Sequence, residues 1–95
     1  YKGALPLRYR MLFFHIINKG QKDRVDEILK VLQNMNKELP DEANRMSVLR
    51  ELTGFERIAN QQQKEKASTY LQEISNNLQP NNAAYVQSLI TRIKK

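Results

Sequence analysis

The sequence predicts an all-α fold of two helix hairpins closed by a C-terminal helix, on three observations. Apolar residues recur three and four apart along most of the chain, and no segment sustains a two-residue alternation. Only three glycines and three prolines punctuate the 95 residues, which favours long helices over short strands. Finally, Tyr9 to Leu32 aligns with Glu51 to Ile74 at a constant offset of 42 residues. That offset carries Phe13 onto Phe55, Ile16 onto Ile58, Val25 onto Ala67, Leu29 onto Leu71 and Leu32 onto Ile74. A helical repeat of this length stacks, because one unit cannot bury its apolar face alone. The expected organisation is one domain over 1–95, with a first unit at about 6–39, a second at about 41–78 and a closing helix at about 83–94.

The first helix is expected from Pro6 to Lys19, since proline suits a first turn, with Gly20 as a left-handed stop. The second runs from about Lys22 to Glu38, its stripe being Val25, Ile28, Leu29, Leu32 and Met35. Leu39-Pro40 breaks the chain, and Asp41-Glu42 then place negative charge at the next N-terminus, where the helix dipole favours it. A third helix is expected from Asp41 to Asn60 through Met46, Leu49, Leu52, Phe55 and Ile58. Gly54 in its middle costs up to about 1 kcal/mol relative to alanine, and close helix packing is its expected use.

Gln61-Gln62-Gln63 reads as a turn or loose junction before a fourth helix from Gln63 to Leu78. That helix turns Ala67, Tyr70, Leu71, Ile74 and Leu78 inward. Pro80-Asn81-Asn82 breaks the chain again, with Asn82 as the N-cap of a last helix from Ala83 to Lys94.

Composition narrows the function classes. A hydrophobic fraction of 40%, with four tyrosines and three phenylalanines, is enough for a modest core. The absence of cysteine rules out disulfides and thiolate metal sites and makes a cytoplasmic home the expectation. The longest uninterrupted apolar run is Met11 to Phe14, far below the roughly 20 residues that span a bilayer, so no membrane partner is expected. The first residue is tyrosine, which is read as a fragment of a longer protein. A net charge of +6 raises nucleic acid as a lesser alternative. The basic residues, however, run from Lys2 to Lys95 among ten acids and are densest at the two ends, so they read chiefly as solvated faces.

Catalytic groupings are lacking. The single histidine, His15, sits in an apolar helix, and the glycines are isolated. Asp23, Asp26 and Glu27 lie beside Lys22, Arg24 and Lys30 as ordinary helix ion pairs. The expectation is a non-enzymatic chain without metal or cofactor.

Two features point to a partner. Five of the six residues from Leu12 to Ile17 are apolar. Tyr9, Leu12 and Ile16 cluster on one face, while Phe13, Phe14 and Ile17 extend the apolar surface round the other side, more than one neighbouring helix can bury. An upstream repeat, a self-association surface or a peptide groove would each account for it. The polar feature is a recurrence: the offset carries Arg8 onto Arg50, His15 onto Arg57 and Asn18 onto Asn60. Asparagine amides can hold a peptide backbone and arginines its carboxylates, unless these are solvated flank residues. Candidate partner-binding residues are therefore Arg8, Phe14, Ile17, Asn18, Arg50, Arg57 and Asn60.

The repeat resembles the tetratricopeptide (TPR) class. Tyr9 and Leu12 take its aromatic and leucine positions, Val25, Leu29 and Leu32 its second-helix positions, and Ala67, Leu71 and Ile74 fill the latter in the second unit. Glu51 replaces the aromatic, Gly54 stands one residue early, and the period exceeds the usual 34, so the hairpins are TPR-like. The run Phe55 to Asn60, the following helix and the short closing helix are similar to the C-terminal repeats of Rgg/GadR/MutR-type transcriptional regulators. That resemblance implies a right-handed α-solenoid fragment that binds a short peptide or protein, with a homodimer interface in the repeats. DNA would be bound only through a domain not present in this chain. A structural homo-oligomerisation module is the alternative.

Overall fold

A computed structural model describes residues 4–95, so Lys2 of the N-terminal basic segment lies outside the described residues. The chain there is all-helical. Helix α1 (Leu5–Asn18) is followed by a 3-10 turn (Lys22–Arg24) and α2 (Val25–Glu38); α3 (Glu42–Leu49) leads through a second 3-10 turn (Arg50–Leu52) into the one-turn α4 (Phe55–Ile58); α5 (Gln61–Ser75) and α6 (Pro80–Lys94) complete it. No strand occurs among the described residues.

The first unit follows its local signals. Pro6 lies in the first turn of α1. At the other end Gly20 adopts φ +62°, the Gln21 N–H reaches the Ile16 carbonyl and the Gly20 N–H that of Ile17. This pair of bonds satisfies carbonyls that the helix end leaves open. The expected stripe of α2 is buried throughout. Arg24 grips Glu27 with Nε–Oε2 at 2.7 Å and Nη2–Oε1 at 3.1 Å, an exposed pair of small energetic weight. The Tyr9 hydroxyl donates to Glu38 at 3.0 Å, tying α1 to the end of α2. Burial first, and the Glu38 carboxylate second, push the Tyr9 phenol above its ordinary pKa, so it remains a donor.

The expected third helix is broken. Thr53 (φ −58°, ψ 123°) and Gly54 (φ +97°, ψ −5°) have the geometry of the central pair of a type II turn, whose second position requires positive φ. The predicted inward residues Met46, Leu49, Leu52, Phe55 and Ile58 are nonetheless all buried. Their spacing accounts for both facts. A strict three-residue repeat drifts by about 60° per step around a helix of 3.6 residues per turn, so a continuous α-helix could not hold all five on one face. The 3-10 segment, with three residues per turn, and the reversal at Gly54 absorb that drift. Gly54 does supply a close approach as well: a Cβ there would stand 3.0 Å from Ile17 Cγ2 and 2.6 Å from Arg57 Nη2.

Two further boundaries differ from expectation. The glutamine tract is no loose junction but the first turn of α5, because Asn60 and Gln63 cap it reciprocally. The Gln63 N–H donates to Asn60 Oδ1 at 2.7 Å, and the Asn60 N–H to Gln63 Oε1 at 2.9 Å. The last helix begins at Pro80 rather than Ala83, with Gln79 at its N-cap, so Asn82 is an interior residue. Glu42 accepts from both the Gln79 N–H and the Asn82 amide, fastening the N-terminus of α3 to that of α6. The Asn82 bond first, then the Gln79 N–H, hold the Glu42 carboxyl below its usual range.

Helix α1 lies on α3 and the 3-10 turn after it, α2 on α5, and α6 on α5 and α4. First helices of the two units thus meet each other, as do second helices. The offset predicts burial well: Phe13 and Phe55, Val25 and Ala67, and Leu32 and Ile74 are buried pairwise. Each large side chain buried in this way contributes about 1.5–3 kcal/mol.

Candidate functional site

The outward side of α1 carries the surface features that the fold leaves unused. Leu7, Met11 and Phe14 are 54%, 55% and 56% exposed. Their spacing of four and three places them in a line along one helix face. Phe13 and Ile17, which the sequence assigns to the uncovered surplus, are instead buried against the neighbouring elements. Helix α1 therefore has more core-facing surface than expected, because both α3 and the following 3-10 turn pack on it. The uncovered line is Leu7–Met11–Phe14.

Beside Phe14 lies a cleft of about 240 Å³. Phe14, Ile17 and Asn18 of α1 form one wall, and Arg50, Thr53 and Arg57 the other. The reversal at Gly54 is what opens it, since it ends the Arg50–Leu52 turn and sends α4 off on a new course. Five of the seven residues selected from the sequence meet here: Phe14, Ile17, Asn18, Arg50 and Arg57. A second depression of about 270 Å³ continues the first along α1, between Leu7, Met11, His15 and Arg10. Phe14 and Glu51 line both. Glu51 is the acid of this surface, and Arg10 holds it at 3.5 Å. Among the described residues no carboxylate lies within 4 Å of Arg8, Arg50 or Arg57.

Two selected residues stand elsewhere. Arg8 lines another hollow with Tyr9, Met11, Leu12, His15 and Arg24, so it does not share a cleft with Arg50. Asn60 is at the start of α5, its side-chain oxygen occupied by the Gln63 N–H. The expected common wall of Arg8 with Arg50 and Asn18 with Asn60 is accordingly not assembled by these side chains. Asn60→Ala is expected to lower stability by about 1 kcal/mol, as lost caps do. Urea denaturation measures it, and an unchanged midpoint would remove the capping role.

Sequence reading missed Leu7, Met11 and Arg10. The signal was present, since Leu7, Met11 and Phe14 are spaced four and three apart and lie opposite Tyr9 and Ile16 on the helical wheel. It was obscured by the denser apolar run that begins at Leu12. Among the described residues no three His, Cys, Asp or Glu side chains stand close enough to hold a metal ion. No helix among them is long and apolar enough to cross a membrane. Comparison with known family models, with curated proteins and with solved structures produced no match.

Proposed function

We propose that this chain is a non-enzymatic docking module that binds a peptide or protein segment on α1 and the cleft beside it. The observation that carries this reading is the exposed line Leu7–Met11–Phe14 running into a cleft walled by Asn18, Arg50 and Arg57. A lone exposed apolar residue is ordinary, whereas an aligned set beside a polar cleft has the composition of an interaction surface. The meeting of like helices in the two units supports a stacked array of TPR-like hairpins, a right-handed α-solenoid fragment. On the resemblance to Rgg/GadR/MutR-type proteins, the module is the regulatory part of a bacterial transcriptional regulator.

The test is a titration of the isotopically labelled chain with short hydrophobic and acidic peptides, followed by amide chemical shifts. Saturable shifts are expected at Phe14, Asn18, Arg50 and Arg57. Phe14→Ala is expected to weaken binding by about tenfold or more, the behaviour of an aromatic anchor. If no peptide gives a saturable shift and Asn18→Ala changes nothing, the docking reading is wrong. The same line on α1 also supports homodimerisation. A concentration-dependent dimer in sedimentation, abolished by Phe14→Gln, would establish that alternative instead.

A further inference from the structure

We infer that the occupant of the α1 face is an acidic amphipathic helix, an inference that rests on the docking reading above. Three observations select it. The apolar line is straight and lies on a helix: from Leu7 to Phe14 it runs roughly 10 Å along the axis at 1.5 Å per residue. A ridge of this form receives a second helix laid alongside it, ridge into groove. The described residues hold no strand edge to which an extended peptide could add, whereas the ridge of α1 is matched by a helix laid alongside it.

The second observation is the sign of the rim. Arg8 flanks the line on one side and Arg10 on the other, with Arg50 and Arg57 beyond Phe14. No acidic residue occurs in α1, and the acid at its edge, Glu51, is already held by Arg10. In helix pairs, the charges flanking an apolar seam set partner choice, so a rim whose unpaired charges among the described residues are Arg8, Arg50 and Arg57 selects an anionic partner.

The third observation turns the same charges against self-association. A second copy seated on this face would bring one set of Arg8, Arg50 and Arg57 up to another, in a chain whose net charge is +6. Like charges juxtaposed across an interface reject the wrong partner. Apolar side chains of the partner helix then lie along Leu7, Met11 and Phe14, and its carboxylates fall to Arg50 and Arg57 in the polar cleft.

The experiment uses the whole chain and three labelled probes: a two-heptad peptide with leucine at the seam and glutamate on both flanks, its counterpart with lysine on the flanks, and a random DNA duplex. Fluorescence anisotropy is read at low and high salt. The glutamate peptide is expected to bind saturably and at least about tenfold tighter than the lysine peptide at low salt, with most of the preference lost at high salt. Arg50→Glu with Arg57→Glu should reverse the preference, and Phe14→Gln should weaken both peptides. All three positions are exposed, and circular dichroism melts check that the variants fold.

Equal binding of both peptides, still sensitive to Phe14→Gln, would overturn the acidic partner and leave the docking reading standing. No binding of either peptide would overturn both. Duplex binding that survives Met11→Gln and Phe14→Gln would reassign the cationic rim to nucleic acid. A dimer in sedimentation that the glutamate peptide fails to dissociate would give the face to a second copy.

Discussion

Replacing Arg45 with methionine is expected to destabilise the protein by about 3 kcal/mol, close to the most that one side chain outside the apolar core can contribute here. Arg45 is only 6% exposed. Its Nη1 donates to the carbonyls of Leu39 at 2.8 Å and Pro40 at 2.9 Å, and its Nη2 to that of Asn77 at 3.2 Å. One guanidinium thus holds the turn that joins the two units to the chain just past the end of α5. Its Nε is without a partner, and no carboxylate within 4 Å neutralises it among the described residues.

Bonds from a charged donor are worth about 1.5–3 kcal/mol each, and carbonyls left unpaired in the interior cost about 1–3 kcal/mol. Water can reach part of the vacated space, which keeps the expected total nearer the lower end of the sum. In a domain of this size the loss corresponds to a fall in Tm of about 12–24 °C. Methionine keeps an unbranched apolar stem of shorter reach, so most of the packing is retained while every bond from the guanidinium is lost. Arg45→Lys should recover only part of the loss, because one ammonium cannot span carbonyls from two elements as a planar fork does. If calorimetry finds both variants within about 1 kcal/mol of the parent, the guanidinium is not the clamp.

Gly54→Ala is the second large effect, and its sign is diagnostic. Inside a continuous helix the substitution would stabilise the protein by up to about 1 kcal/mol. At φ +97° it is expected to destabilise it by about 2 kcal/mol. The left-handed conformation contributes roughly 1–2 kcal/mol of this for a residue with a Cβ. The remainder is steric. The new methyl would displace the flexible end of Arg57 at little cost, but Ile17 Cγ2 at 3.0 Å belongs to a packed, buried side chain. Opening the Ile17–Gly54 contact also disturbs the cleft between α1 and Arg57. A chemical denaturation midpoint higher than the parent's would show that Arg50 to Ile58 is helical throughout.

These two residues mark where the sequence could be read and where it could not. Several helix starts and stops that rest on a residue and its immediate neighbours were legible: Pro6, Gly20 with φ +62°, and Asp41, whose side chain accepts the Ala43 N–H. The break at Gly54 was half legible. The three-residue spacing from Met46 to Ile58 does not suit a long α-helix, yet each apolar position taken singly looks helical. The Asn60–Gln63 capping box was also present in the letters, masked by the low-complexity glutamine run.

For the candidate site, Asn18, Arg50 and Arg57 were chosen through the repeat and Phe14 through the apolar surplus of α1, and one cleft gathers the four. Leu7 and Met11 were not. Choosing them needs knowledge of which face of α1 its neighbours cover, and α1 is apolar enough round its circumference to permit more than one answer.

By itself the sequence determined the helical class, the 42-residue register and the inward stripe of α2, because periodicity and capping act over one to four residues and need no distant partner. Only the tertiary structure decided which side of α1 is left uncovered, that Arg45 lies inside the fold, that Glu42 caps α6 across 40 residues to Asn82, and that Gly54 reverses the chain rather than continuing a helix. The reason is the same in each case. Burial and hydrogen-bond partners at these positions come from elements remote in the chain. Several local arrangements of similar energy are open to the sequence, and the neighbouring helix selects among them.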